Sequence, residues 1–147
     1  MTAGKKPTAL SSHEVALIGR TTPQRGTVLR ALIASEDFVS AQALHGRLVD
    51  AGSHVGLTTV YRTLTAFAAA GGADVVRNTN GERLFRYRSG PHHRHYLLCA
   101  DCGLSLPLDA GQVETWAARA ARTAGFTHVQ HTLELVGLCP ECSHRWD

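Results

Sequence analysis

The chain has no run of about 18 consecutive apolar residues, so no membrane-spanning helix and no membrane partner are expected. No apolar signal core follows the basic stretch Met1–Pro7, and the expected location is therefore the cytoplasm. The sequence has no internal repeat and no low-complexity block. No nucleophile, base and oxyanion constellation is visible, so neither an enzyme activity nor a small-molecule substrate is expected. No cysteine stands alone, because all four fall in two pairs. Charge of one sign does not dominate, and the net charge is only +3.

What is present is a globular composition, with 44% apolar and 18% charged residues in 147, enough for one ordinary domain or two small ones. The charge is uneven along the chain. Residues 1–90 carry eleven basic residues against six acids, whereas residues 91–147 carry four arginines against six acids. A basic first half suggests an anionic partner.

The pattern of elements also changes midway. After a tail over Met1–Ala9, a short helix is expected over Ser12–Ile18. Thr22 before Pro23 reads as an N-cap with proline in the first turn. Val28, Leu29, Leu32 and Ile33 then recur at helical spacing. Ser40 is expected to cap a second helix with Ala41, Leu44, Leu48 and Val49 on its apolar face. Thr58 or Thr59 starts a third, with Val60, Leu64 and Phe67 on one face and Gly71-Gly72 at its end. A hairpin is expected next, Asp74–Arg77 and Arg83–Tyr87 around Asn80-Gly81. Ser89-Gly90-Pro91 reads as a hinge. Beyond it, Tyr96–Cys99 and Leu104–Leu108 read as strands. Gly111–Thr123 reads as a helix whose inner face is Val113, Trp116, Ala117 and Ala120. His128–Leu138 alternates as a strand does, with Val129, His131, Leu133 and Leu135 on one side.

The cysteines form two Cys-x-x-Cys pairs, Cys99/Cys102 and Cys139/Cys142. Two residues between thiolates let both sulfurs face one ion, and two such knuckles close a tetrahedron with no open position. Two disulfides would need an oxidising compartment, and a redox motif would explain one pair but not both. A closed structural zinc site on Cys99, Cys102, Cys139 and Cys142 is the expectation. The 36 residues between the pairs must fold between the knuckles.

Nine histidines are many for this length, and three sit in His92-His93-Arg94-His95. If that stretch enters a strand, His93 and His95 share a face. With Glu114 and His131 they would form a nitrogen and oxygen site suited to zinc, and also to iron(II), cobalt or nickel. Spacing alone equally allows exposed hinge histidines and an ordinary strand histidine. His13, His45, His54, His128 and His144 are scattered.

The third helix opens with Thr58, Thr59, Tyr61 and Arg62. Hydroxyls and free amides at a helix start suit phosphates, and Tyr61 and Arg62 suit base edges or phosphate. The hairpin adds Arg77, Arg83, Arg86 and Arg88. Three helices followed by a basic hairpin read as a winged helix binding double-stranded DNA through Thr58, Thr59, Tyr61, Arg62 and Arg77. The alternative is a small helical domain with a solvated arginine hairpin.

Taken in order, these motifs carry a family resemblance. Thr22-Pro-Gln-Arg25, Ser40-Ala-Gln-Ala-Leu-His45, Gly56-Leu-Thr-Thr-Val-Tyr-Arg-Thr-Leu64, the histidine cluster before Cys99-Ala-Asp-Cys102, and His131-Thr-Leu-Glu-Leu-Val-Gly-Leu-Cys139 resemble the ferric uptake regulator superfamily. The resemblance is strongest to its zinc-sensing branch, the zinc uptake regulators. It implies an α+β protein with a winged-helix DNA-binding domain over 1–88, a hinge over 89–94 and an α/β dimerisation domain over 95–147. It further implies a homodimeric repressor of zinc-uptake genes that binds operator DNA. The four-cysteine zinc would hold the dimerisation domain together. A regulatory zinc on His93, His95, Glu114 and His131 would switch on operator binding.

The sequence departs from the family at a further metal site. The aspartate position is kept as Asp74, but the cysteine position falls on Arg88 and the two histidine positions on Arg94 and Tyr96. Arginine does not give up its proton to bind metal. Two zinc ions per subunit are therefore expected, with a site on Asp74 and His92 left open. Competing readings are an iron- or peroxide-sensing regulator of the same superfamily, a zinc hydrolase with Glu114 as base, and a metal buffer without a DNA role.

Overall fold

The computed structural model describes residue 12 and residues 22–88 and 94–145. The expected tail over Met1–Ala9, the helix over Ser12–Ile18 (Ser12 apart), the hinge at Ser89-Gly90-Pro91, and His13, His92 and His93 lie outside the described residues. The chain divides into two compact units, Met1–His93 and Arg94–Asp147.

The first unit begins with α1 (Pro23–Ala34), capped by Thr22, whose Oγ1 accepts from the Arg25 amide at 3.3 Å. A two-residue strand β1 (Val39–Ser40) runs into α2 (Ala41–Asp50), where Ser40 Oγ accepts from the Ala43 amide at 3.1 Å. Helix α3 (Leu57–Ala69) starts one residue before the expected threonines, with Gly56 at the N-cap and no side-chain cap. Thr58 and Thr59 therefore sit inside the first turn, and their hydroxyls are not used to cap the helix.

The hairpin is β2 (Ala73–Arg77) and β3 (Arg83–Tyr87), antiparallel with Val75 opposite Phe85. Strand β1 adds to its other side, giving a sheet in the order β1-β3-β2. A two-residue strand leaves too little alternation to show in the sequence. The core is Val28, Leu29, Leu32, Leu44, Val60, Leu64, Phe67 and Phe85 with their neighbours, all within this unit. It is the winged-helix arrangement that the motif order implied.

Helix α3 ends where glycine is needed. Gly71 has φ +86°, and the Gly72 amide donates to Phe67 O at 2.9 Å. A Cβ on Gly72 would overlap the Phe67 ring, which is fully buried and stacked beside Tyr87. Gly72→Ala is expected to cost about 1–3 kcal/mol, the range for overpacking a core, read as a lower urea midpoint with unchanged slope.

The second unit is β4 (His95–Cys99), β5 (Ser105–Leu108), α4 (Gly111–Ala124), β6 (Glu134–Gly137) and the single turn α5 (Pro140–Ser143). Its sheet order is β5-β4-β6, with β4 and β5 antiparallel and β4 and β6 parallel. Two expectations are corrected here. The last strand is shorter than His128–Leu138: only Glu134–Gly137 pairs, and His128 has φ +56°, a left-handed conformation that interrupts an extended run. His131 thus lies in the segment leading to β6 rather than within it. The intended inner face of α4 is not buried within the chain, and Trp116 is 67% exposed. A helix has its 3.6-residue stripe whether or not its own chain supplies the partner.

Of the twelve large apolar residues that stand exposed among the described residues, nine lie in this second unit, including Leu97, Leu106, Phe126 and Val136. Its buried apolar residues are Tyr96, Leu98, Cys99 and Cys142. Among the described residues no helix is long and apolar enough to cross a membrane.

Candidate metal centres and nucleic-acid interface

The parallel pairing of β4 with β6 sends both strands toward the same edge. Cys99 is the last residue of β4 and sits opposite Gly137, two residues before Cys139. The Ala100 amide donates to Gly137 O at 2.8 Å and closes the junction. Gly103, with φ +79°, turns the first pair so that its amide reaches Cys99 O at 3.0 Å. Pro140 opens α5, with Cys139 at its N-cap and Cys142 inside it. The four sulfurs end within 4.8 Å of one another.

This spacing fits one ion. Four sulfurs at ~2.3 Å from a tetrahedral zinc are about 3.8 Å apart, and Cys102 Sγ and Cys139 Sγ lie 3.7 Å apart. All four thiols are free, and that separation is far beyond a disulfide bond. The electrostatics differ along the set. The Cys102 and Cys139 amides donate to Cys99 and lower its pKa to about 6. At Cys142 the Asp101 carboxylate, with burial, pushes the thiol upward. Capture of a dication by all four thiols releases their protons, so loading depends on pH.

The second cluster is His95, Glu114 and His131. His95 enters on β4 and is 4% exposed, Glu114 comes from the first turn of α4, and His131 from the segment before β6. His95 Nε2 lies 2.7 Å from Glu114 Oε1, His131 Nε2 lies 3.0 Å from the same oxygen, and the two Nε2 atoms are 3.4 Å apart. His95 Nδ1 is 3.2 Å from Leu133 O. A carbonyl only accepts, so it suits the neutral tautomer with its proton on Nδ1, in which the Nε2 lone pair is free for a cation. Acceptor atoms then converge from three elements, and this donor set fits a cation. The Leu133 carbonyl has no signature in the sequence, because only the fold brings it to His95. The fourth expected ligand, His93, lies outside the described residues. Among the described histidines, His45, His54, His128 and His144 join no metal-type cluster.

Asp74 on β2, the aspartate that the resemblance placed in a further metal site, is 5% exposed. Its Oδ1 is paired with Arg88, 2.7 Å from Nη2 and 2.8 Å from Nε. No metal-type cluster includes Asp74 among the described residues.

In the first unit an open cleft of about 630 Å³ runs between the start of α3 and the wing, lined by Leu57, Thr58, Tyr61, Arg77 and Arg83 among others. Thr58, Tyr61, Arg62 and Arg77 are exposed, and Thr59 is half-buried. Arg77 Nη1 donates to Gly81 O at 2.8 Å, which ties the wing tip to its own strand. The cleft therefore presents the Thr58 hydroxyl, the Tyr61 phenol and the Arg77 and Arg83 guanidinium groups, with the Glu82 carboxylate beside them, a chemistry suited to phosphates and base edges.

Residues 18–136 match the model of the ferric uptake regulator family. The chain is similar to the zinc uptake regulation protein of Mycobacterium tuberculosis, at 42% identity over 123 residues, 84% of this chain and 94% of that protein. It is similar to the ferric uptake regulation protein of Legionella pneumophila at 36% identity over 124 residues, 84% of this chain and 90% of that one. A solved zinc uptake regulator, complexed with zinc and DNA, matches with a TM-score of 0.66 and 27% identity over 86% of this chain and 85% of that chain.

Proposed function

The chain belongs to the ferric uptake regulator family, and from that premise we propose that it is a zinc-responsive, DNA-binding repressor of zinc-uptake genes. The observation that carries this is the convergence of His95, Glu114 and His131 on one point beside a separate four-sulfur cluster. One cluster has only nitrogen and oxygen donors and the other only sulfur, so the two are suited to different affinities and roles.

Cys99, Cys102, Cys139 and Cys142 hold a structural zinc. His93, His95, Glu114 and His131 hold a regulatory one, giving two per subunit. Zinc supplies positive charge at both places. The Leu133 carbonyl keeps His95 Nε2 free to coordinate, and Glu114 gives the second set its carboxylate. His93 stands only two residues before His95, so its recruitment restrains the stretch that leads out of the DNA-binding unit. Residues 1–88 act as that unit, with Thr58, Thr59, Tyr61, Arg62 and Arg77 toward DNA. Residues 89–94 act as the hinge.

Residues 95–147 form a homodimer. The exposed apolar residues of the second unit support this, because a lone soluble domain rarely leaves so many uncovered. Restraint of the hinge shifts the population toward one separation of the two DNA-binding units, matched to half-sites about 34–36 Å apart. Zinc and operator then strengthen each other's binding by the same factor. The site of action is the cytoplasm, and no catalytic step is involved.

The test is operator binding against metal identity and concentration, with metal measured per subunit. His131→Ala is expected to stay a folded dimer with its four-cysteine zinc. It should lose most of the zinc-dependent gain in operator affinity, a gain expected at roughly 5–150-fold. Full zinc-dependent binding by that variant would remove His131 from the site. Stronger activation by iron(II) than by zinc would move the chain to the iron-sensing members.

A further inference from the structure

Arg145 lies three residues beyond Cys142, outside every motif in the sequence. Its Nη2 donates to Cys142 Sγ at 3.2 Å. The same nitrogen is 4.0 Å from Asp101 Oδ2, inside the first cysteine pair. Its backbone amide donates to Cys142 O at 3.1 Å, which anchors the root of the side chain on α5. One guanidinium thus faces a sulfur of the second knuckle and a carboxylate of the first.

The charges at this corner explain why a cation belongs there. Four thiolates around a dication leave two net negative charges, and Asp101 adds another close by. Cys142 is fully buried, so its sulfur has little water to solvate that charge. Charge-assisted N–H donors to such a sulfur are stronger than neutral ones. Cys99 takes its stabilisation from the backbone, through the Cys139 amide at 3.3 Å. Cys142 takes it from a side chain, which a substitution can remove.

We infer that Arg145 is a positioning residue of the four-thiolate site: hydrogen-bonded to Cys142 Sγ and within ion-pair reach of Asp101, its guanidinium offsets the sulfur charge at Cys142. This rests on the four-cysteine zinc site proposed above. Arg145 is no ligand itself; it sets how firmly the ligands hold.

The test uses the full-length chain loaded with zinc, as wild type and as Arg145→Ala, Arg145→Gln and Arg145→Lys. Zinc release to a chromogenic chelator is timed, and the sulfur-to-metal charge-transfer band is recorded after cobalt(II) replaces zinc. Arg145→Ala should release the structural zinc about tenfold faster, at the low end of the effect of removing an outer-sphere partner, and should shift the band. Arg145→Lys should recover most of the retention and Arg145→Gln little, because charge is what acts. A merely structural role would leave the band where it was.

Wild-type release and an unmoved band in Arg145→Ala would overturn the inference, as would equal behaviour of the lysine and glutamine variants. If the alanine variant loses its far-UV dichroism, the lysine–glutamine comparison decides. A wild-type chain with no chelator-resistant zinc would overturn the four-cysteine site as well, and that result is distinct from the others.

Discussion

Cys99→Ser is expected to abolish the fold of residues 94–145 and to leave the first unit standing. The reason lies in how little else holds the second unit. Among the described residues its buried apolar side chains, cysteines apart, are Tyr96 and Leu98, while α4 contributes none. A small unit with so thin a core needs a staple. Structural zinc supplies an apparent ~10–16 kcal/mol, as large as the whole stability of an ordinary domain, ~5–15 kcal/mol. Cys99 also ends β4 and accepts the Cys139 amide, so its loss separates the two knuckles. Elemental analysis should find at least one zinc fewer per subunit, and size exclusion should find the dimer gone. The core from Val28 to Phe85 draws on no residue of the second unit, so helical dichroism from the first should persist. A variant with wild-type zinc and an intact dimer would refute the assignment.

Arg88→Met is expected to destabilise the first unit by about 3 kcal/mol, the low end for removing one partner of a buried pair. Both Arg88 contacts, from Nη2 and Nε, fall on one oxygen of a carboxylate that is 5% exposed. The Arg88 amide also donates to Gly72 O at 2.9 Å, so the backbone of the variant should hold its place while the charge balance fails. Urea unfolding of the zinc-loaded chain measures the loss. The double variant Asp74→Asn, Arg88→Met should regain most of it, since neither charge then remains. Its zinc content is expected to equal that of the wild type, because Asp74 is paired with Arg88. A double variant as unstable as the single one would show that the pair is not the cause.

Local chemistry made much of the first unit legible. Thr22-Pro23 and Ser40 announced two helix starts, and Asn80-Gly81 announced the hairpin, because caps and turns depend on residues a few positions apart. Strand β1 was hidden by its length, and the α3 start was displaced because Gly56 serves as the cap that Thr58 or Thr59 promised. In the second unit, periodicity found α4 but could not say what covers it. It extended the last strand back to His128, whose left-handed backbone no alternation reveals. The candidate metal residues were readable as types and spacings, and their grouping was expected from them. The parallel pairing of β4 with β6 that brings the strand ends together was not. The Leu133 carbonyl was silent for the same reason, and Arg145 because a single arginine after a cysteine pair carries no pattern.

Strand β4 carries His95 at its first residue and Cys99 at its last. At ~3.3 Å per residue, some 13 Å of rigid backbone joins the two clusters. On the proposed assignment, the detector is mounted on the frame that the sulfurs fasten. A newly made subunit whose frame is still unfastened is then expected to have no detector to fill and to stay mute toward its operator whatever the zinc level. Loading would follow an order, and a half-built subunit would give no false report of plenty.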